Sequence, residues 1–505
     1  MSDVVKKKLS REEIAKIEIG NTAVSRAQKW FLTVFFLLVI GIYPVVQLFY
    51  HQPFREWRRK EDVQKSIKTY ETAIEDTSLL RAMLLTPAQR MLTEVFRLGN
   101  EKVIFGKDGW LFFSGDYEYL INPGFLRREK LHKRVLSGVQ PDPIRAILDF
   151  QAQLEKRKIR LIVVPVPVKP MIYPEKLGGA AGPLQNDSWR QFKTALEQHG
   201  VTVLDLAPAF SEMRKNGTEP YLKTDTHWTP EGMFLCAGML AKAADGTESK
   251  RPPEKSSETT NLGDIAAMLK LPDCEKFFAR ETVRNPYFAM KTNRNSDVLL
   301  LGDSFANIFS LEAMNWGSDS GLAEALGYHL GRPVDAIIRN DAGAFATRKL
   351  LADELKRGRD RLAGKKAVIW EFAIRELANG DWKMLDMTLG KAPATAFLNV
   401  TSPRTVTATV LAMTEVPRPH SAPYSDHVMS LHLGDIDGGS GQALVYVVSM
   451  KNNIWTAAPK LRVGDTLRIT LSPWADHEKQ YGSWNRSEFE DENLIVQEPV
   501  FGELK

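Results

Sequence analysis

The sequence predicts an α/β protein built on a parallel sheet, with a membrane-length helix ahead of the sheet and a separate all-β domain behind it. Three observations carry this. An uncharged run of 21 residues, WFLTVFFLLVIGIYPVVQLFY, fills positions 30–50. From about residue 142 to residue 372, short apolar runs alternate with stretches of helical spacing, the pattern of strands joined by crossover helices. After about residue 394 only short strand-like runs follow, separated by Gly, Pro, Asn and Asp turns.

Composition supports a folded chain. Of 505 residues, 43% are hydrophobic and 26% charged, which excludes a disordered or fibrous protein. Two cysteines, Cys236 and Cys274, exclude a disulfide scaffold and a four-cysteine zinc site, and leave one bridge between them open. The net charge of +5 is concentrated at the start: residues 1–60 hold 11 Lys/Arg against 5 Asp/Glu. The body is therefore close to neutral, and no strongly basic nucleic-acid-binding body is expected.

Residues 1–29 read as a basic tail. The run at 30–50 would span about 31 Å as a helix, the thickness of a bilayer core. Trp30, Tyr43 and Tyr50 suit its interfaces. No A-x-A site follows, so an uncleaved anchor is expected rather than a signal peptide. Basic residues flank both sides, so the charge rule barely sets the orientation, and the large body is expected on the exported side. Residues 51–100 have helical spacing and read as a stalk.

Within 101–394, GKDGWLFFSGDYEYL (106–120) reads as a turn and an aromatic strand. Helical spacing at 143–156 precedes IRLIVVPVPV (159–168), an apolar run expected of a strand buried on both faces. A helix near 188–199 leads to a strand at 201–206. Thr229-Pro230 opens another helix. DGTESKRPPEKSSETT (245–260) reads as a polar loop. Strands follow at 297–301, 334–339 and 367–372. In the β-rich part, 395–505, strands are expected at 405–415, 427–435, 443–450, 466–471 and 493–496, with no helix.

Two segments carry chemistry. In VLLLGDSFANIF (298–309), Ser304 stands at the end of a strand and the start of a helix. Parallel α/β sheets bind ligands at that end, and helix-start N–H groups favour an oxyanion. Asp303-Ser304 is also an ordinary capping sequence. In LKTDTHWTPEG (222–232), Asp225 and His227 are two residues apart, so an extended backbone projects both to one side. A hydroxyl nucleophile needs a base, and the base an orienting carboxylate. Together the segments favour catalysis over capping. The nine histidines show no H-x-x-x-H pattern, and neither a P-loop nor a dinucleotide fingerprint occurs, so no metal and no cofactor are expected.

GDSF, DTHWTPEG, GKDGWLFF and VPVPVKPMIYPEKL (164–177) together resemble the SGNH-like polysaccharide O-acetyltransferases of the AlgX/AlgJ, alginate O-acetylation, type. The resemblance covers roughly residues 100–380. Ordinary SGNH hydrolases carry GDS first and D-x-x-H late; here D-x-H comes first, the permuted order of the acetyltransferases. The resemblance implies an SGNH-hydrolase-like parallel sheet with flanking helices, with Ser304 as nucleophile, His227 as general base and acid, and Asp225 as its orienter. It implies transfer of acetyl groups through an acetyl-serine to hydroxyls of an exported polysaccharide such as alginate. An inner-membrane anchor, a periplasmic catalytic domain and a membrane-bound O-acyltransferase as acetyl donor go with it.

Lesser candidates remain. Asn340 and Gly343 are oxyanion candidates or plain turn residues. Lys169 and Tyr173 follow the Val-rich strand at its ligand-facing end and would meet a sugar carboxylate, or have a capping or surface role. Trp228 stacks on a sugar or packs beneath His227. Arg375 binds an anionic sugar or pairs with a glutamate. The β domain is a candidate carbohydrate-binding module. A carbohydrate esterase with the same triad, and a non-catalytic polymer-binding subunit, are the competing readings.

Overall fold

The computed structural model describes residues 25–51, 79–179, 182–248, 250–340, 343–391, 397–419 and 424–505. Residues up to Glu94 and residues from Val95 onward form two compact units.

In the first unit the uncharged run lies within a helix, Arg26–His51. Its start follows from Ser25-Arg26-Ala27-Gln28. Ser25 Oγ accepts from Gln28 N–H at 3.2 Å, and Gln28 Oε1 accepts from Ser25 N–H at 2.9 Å, a reciprocal cap. Trp30, Phe31 and Phe36 are more than half exposed. Beyond Leu38 the side chains of this helix lie outside the described residues, apart from Gly41. Among the described residues no helix is long and apolar enough to cross a membrane, and the expected anchor lies partly outside them. Of the expected stalk, residues 52–78 are likewise outside, and a helix covers Leu79–Glu94.

The second unit begins with an antiparallel hairpin, Val103–Phe105 with Leu111–Phe113. Its turn uses Asp108 and Gly109, both with positive φ. The aromatic strand ends sooner than the sequence suggests, because Ser114–Ile121 is a helix.

Five parallel strands form the sheet: β1 (Arg160–Val166), β2 (Thr202–Val203), β3 (Val298–Gly302), β4 (Asp335–Ile338) and β5 (Ala367–Ala373). Their order is β2-β1-β5-β3-β4. β3 and β5 are buried throughout, as expected when helices cover both faces; β3 is apolar along its length, and β5 is apolar apart from Glu371. The principal helices are α1 (Pro143–Glu155), α2 (Trp189–Gln198), α3 (Pro230–Asp245), α4 (Leu322–Leu330) and α5 (Gly343–Lys356). Local sequence sets their ends. Asp142 caps α1 by accepting from Ile144 and Arg145 N–H, Thr229 caps α3 by accepting from Gly232 N–H, and Gly246 closes α3 at φ +79°. The polar stretch at 245–260 is only partly a loop: Ser256–Asn261 pairs antiparallel with Glu281–Pro286.

The β-rich part is a closed barrel with its own core. Its strands are β6 (Arg404–Met413), β7 (His427–Gly434), β8 (Ala443–Lys451), β9 (Ile454–Trp455), β10 (Thr466–Pro473), β11 (Asn485–Arg486) and β12 (Pro499–Leu504). β8, β12, β10, β6 and β7 follow in order, and β7 pairs back to β8, which removes the edges. Two expectations fail here. Residues 493–496 do not form a strand: Glu492–Ile495 is a helical turn started by Asp491, whose carboxylate accepts from Asn493 N–H. A helix also covers Trp474–Tyr481, and β12, which the sequence reading missed, takes the expected closing place.

Barrel and sheet meet along an arginine-rich seam. Arg339 donates to Arg486 O at 2.6 Å, Arg357 to Ile495 O at 2.7 Å, and Asn340 N–H to Asn485 Oδ1 at 3.2 Å. Arg359 pairs with Glu498 and Arg294 with Glu478.

Candidate active site

The DTHW segment is a tight loop closed by a bridge between Tyr221 and Trp228. A buried ammonium holds it. Lys169 Nζ donates to Leu222 O at 3.0 Å, Lys223 O at 3.0 Å and Asp225 O at 2.6 Å. Burial pushes Lys169 down to about 8 against the opposing pull of Asp225. Lys169 is therefore a loop-holding residue with no exposed surface for a sugar.

Within the loop, Asp225 and His227 face one another. Asp225 Oδ1 accepts from His227 Nδ1 at 2.7 Å and from its backbone N–H at 3.0 Å. Asp225 Oδ2 accepts from Trp316 Nε1 at 2.8 Å and Asp264 N–H at 2.9 Å. Burial alone would raise the Asp225 carboxyl. The hydrogen bond and charge of His227, with the backbone N–H groups, outweigh it and hold the group well below the usual range. Burial likewise works against charge on His227, but the Asp225 bond and charge prevail and raise it above an ordinary histidine. Because Asp225 only accepts, Nδ1 carries the proton, and Nε2 faces Ser304 Oγ at 2.8 Å. Three residues from two distant segments thus form one hydrogen-bonded line.

Ser304 follows β3. Asp303 caps a single turn, Ser304–Asn307, by accepting from Phe305 N–H. The helix expected after Ser304 is thus one turn long, too short for a substantial dipole. Phe305 packs against the His227 ring at 4.8 Å and edge-on to Trp228 at 5.2 Å. Trp228 is fully buried and packs on Phe305, which in turn packs on the histidine, so it does not stack on a ligand.

Asp264, which the sequence reading did not single out, embraces the loop from outside. Its carboxylate accepts from Thr226 N–H at 2.7 Å and Thr226 Oγ1–H at 2.6 Å. Burial, then the charge of Asp225, pushes it up to about 6. Asp225, His227 and Asp264 bring ligand-type atoms within 4.8 Å of one another. Those carboxylate oxygens and Nδ1 are already engaged in the bonds above. Nothing in the sequence beyond a generic helix-start Asp marks Asp264, and Trp316 reads as ordinary core.

Tyr173 is buried away from this line, donating to Glu219 at 2.6 Å and packing on Trp110 at 4.1 Å, so it too is a packing residue. Arg375 does face the site's cavity. It pairs with buried Asp116 at 2.8 Å and lies 5.6 Å over Phe113. Asn340 lines the same cavity, its Oδ1 accepting from Asn307 Nδ2 at 2.9 Å. Gly343 opens α5, and the surroundings of that first residue lie outside the described residues. Cys236 and Cys274 are both free and buried.

The cavity holds about 1080 Å³. Ser304, His227, Asp264, Trp316, Asn340 and Arg375 form one side, and Tyr424, Ser425, Asp426, Asn453, Trp484 and Asn485 of the barrel form another.

A parallel α/β sheet with a serine at one strand end and an Asp-x-His loop hydrogen-bonded to it defines the SGNH-hydrolase-like class. A family description, "SGNH hydrolase-like domain, acetyltransferase AlgX", matches residues 103–374, and the chain belongs to that family. Among curated relatives, a probable alginate O-acetylase AlgJ of Pseudomonas aeruginosa is 28% identical over 185 residues, 35% of this chain and 43% of the relative. The corresponding Pseudomonas fluorescens protein is 26% identical over 304 residues, 56% of this chain and 70% of the relative. The chain thus spans less than half of the first of these proteins. Of solved structures, the O-acetyltransferase domain of Pseudomonas putida AlgJ superimposes with a TM-score of 0.41 at 21% identity, covering 56% of this chain and 94% of that one.

Proposed function

We propose that this chain is a membrane-anchored O-acetyltransferase that moves acetyl groups through an acetyl-serine onto hydroxyls of an exported polysaccharide. The observation that carries it is the line Ser304 Oγ, His227 Nε2, His227 Nδ1, Asp225 Oδ1. Family membership supports acetyl transfer. The names of the AlgJ relatives favour alginate as acceptor.

In this mechanism His227 Nε2 takes the Ser304 hydroxyl proton as Oγ bonds the acetyl carbon of the donor. The donor's acyl bond breaks, and its leaving group takes that proton from His227. A sugar hydroxyl then gives its proton to His227 and attacks the acetyl-serine. The Ser304–acyl bond breaks, and Ser304 regains a proton. Asp303 occupies the Phe305 N–H, so the turn's candidate oxyanion donor is Ser304 N–H. The Asn340 amide NH₂ is the second, since Asn307 engages its oxygen. Removing an oxyanion donor costs about 10²–10³-fold in kcat, and Asn340→Ala is expected to fall there with KM little changed.

The barrel wall is proposed to hold the sugar acceptor and to limit water at Ser304. Arg375, partly neutralised by Asp116, is a candidate for an anionic sugar. The apolar run at 30–50 supports an inner-membrane anchor with the body in the periplasm. There the acetyl group would come from a membrane-bound O-acyltransferase. The test uses a chromogenic acetyl ester with and without uronate or glucan oligomers, followed by mass spectrometry of the sugars. Acetylated oligomers that depend on Ser304 are expected. Ester hydrolysis without sugar product would favour an esterase, and turnover unchanged in Ser304→Ala would overturn the assignment.

A further inference from the structure

Behind the Ser304 turn lies a buried acid that the chemistry above does not use. Glu371 sits on β5, beside β3, and is fully enclosed. Its Oε2 accepts the N–H of Asp303 at 2.9 Å. Its Oε1 has no hydrogen-bond partner among the described residues. Asp303 is fixed at both oxygens: Oδ1 accepts from Phe305 N–H at 2.8 Å and Oδ2 from Ala373 N–H at 2.7 Å. That is the bonding of a carboxylate. Two adjoining carboxyl groups out of water do not both ionise. The unpartnered oxygen identifies Glu371 as the one that keeps its proton, because a charge there would be buried without a donor. Burial, then the Asp303 charge, pushes the Glu371 carboxyl well above the usual range. The other ionisable groups acting with it are Arg375 on the following turn, Cys236 on α3 and Tyr221 on the catalytic loop. The turn is tight around it. A Cβ at Gly302 would stand 2.6 Å from Ala306 Cβ and 3.2 Å from Glu371 Oε2.

We propose that Glu371 is a positioning residue for the acyl-transfer site: as a neutral acid it holds the Asp303 N–H, fixes the Gly302-Asp303-Ser304 turn, and keeps a second negative charge away from the oxyanion formed at Ser304. The role rests on the acyl-serine reading above; the protonation of Glu371 does not. A carboxylate in its place would face Asp303 at close range and oppose charge on the acyl oxygen. A neutral acid supplies the same acceptor without that charge.

The test uses the full chain and two readouts. Difference infrared spectroscopy at pH 8 compares wild type with Glu371→Gln. A carboxylic-acid carbonyl band is expected in wild type and absent in the variant. Acylation by a chromogenic acetyl ester is then followed in wild type, Glu371→Gln and Glu371→Leu, with Ser304→Ala as control. Glu371→Gln mimics the neutral acid and is expected to keep kcat and KM within about threefold. Glu371→Leu leaves the Asp303 N–H without an acceptor and is expected to lose on the order of 10²-fold in kcat with KM unchanged. The absence of the band overturns the proposal, as does wild-type kcat in Glu371→Leu or equal losses in both variants. Should the leucine variant not fold, the band and the glutamine variant decide. A band present in a protein with no Ser304-dependent turnover would overturn the acyl-serine reading and leave the protonation standing.

Discussion

His227 is set between Ser304 and a carboxylate that accepts four hydrogen bonds, and the consequences are measurable. Since Asp225 raises His227, the neutral imidazole that the proposed mechanism uses is lost at a higher pH than for an ordinary histidine. kcat/KM for acylation is expected to rise through a midpoint above the free-histidine value near 6.5. Asp225→Asn should lower kcat by about 10⁴-fold, the cost known for this geometry when the tautomer is lost. Asp264 gives a second, opposite signal. Its carboxyl is raised from 3.8 to about 6, so the folded state binds the extra proton, and stability present below the lower value is lost as pH rises through the upper one. Asp264→Asn keeps an acceptor for Thr226 without the charge. The variant should melt higher than wild type at pH 8, and the gap should close near pH 4. The Asp264 charge also supports the imidazolium, so the acid limb of the variant's rate profile should move to lower pH.

At the scale of elements, the loop carrying Asp225 and His227 owes its shape to groups outside it. Lys169 satisfies three of its carbonyls. Lys169→Met would strip all three of their donor, at a cost of about 3 kcal/mol, and is expected to lower both Tm and kcat. Gly263 lies against the same loop; an added Cβ would come within 2.3 Å of the Thr224 carbonyl carbon and oxygen. Gly263→Ala should therefore displace the loop and cut activity with little change in the sheet's far-ultraviolet dichroism. These elements also show what was legible in the sequence. β1 and β3 were readable because strands buried on both faces carry apolar runs, β4 and β5 because their apolar residues outnumber Asp335 and Glu371, α1 because its apolar residues recur at helical spacing, and α3 because Thr229-Pro230 marks its start. Lys169 and Tyr173 stand at the expected end of the sheet but turn inward, to the loop carbonyls and to Glu219, while Trp228 takes the packing role, one of the two open to it. A sequence shows that a side chain leaves a strand end, not whether it turns inward. Asp264 and Trp316 were missed because their contacts with Asp225 join positions 39 and 91 residues apart. The turn Glu492–Ile495 is not legible in the sequence because four residues are too few to show helical spacing, and the apolar Leu494-Ile495-Val496 has the composition of a strand.

Across the molecule, the cavity has two owners. The family match ends at residue 374, yet Tyr424, Asp426, Asn453 and Trp484 line the space that Ser304 opens onto. If this wall holds the acceptor, Trp484→Ala should raise KM for an oligosaccharide several-fold while leaving turnover of a small chromogenic ester unchanged. Equal loss on both substrates would assign Trp484 to the fold instead. The barrel's order of strands carries one more consequence. β12 lies between β8 and β10, parallel to the first and antiparallel to the second. The cylinder cannot close until the stretch Pro499–Leu504 has arrived. A chain emerging from its N-terminus can complete the sheet, the Ser304 turn and the histidine loop well before that. For that interval Ser304 would stand beside an unfinished wall, open to water. The arrival of β12 thus times the change of the Ser304 surroundings from an open groove to a walled cavity.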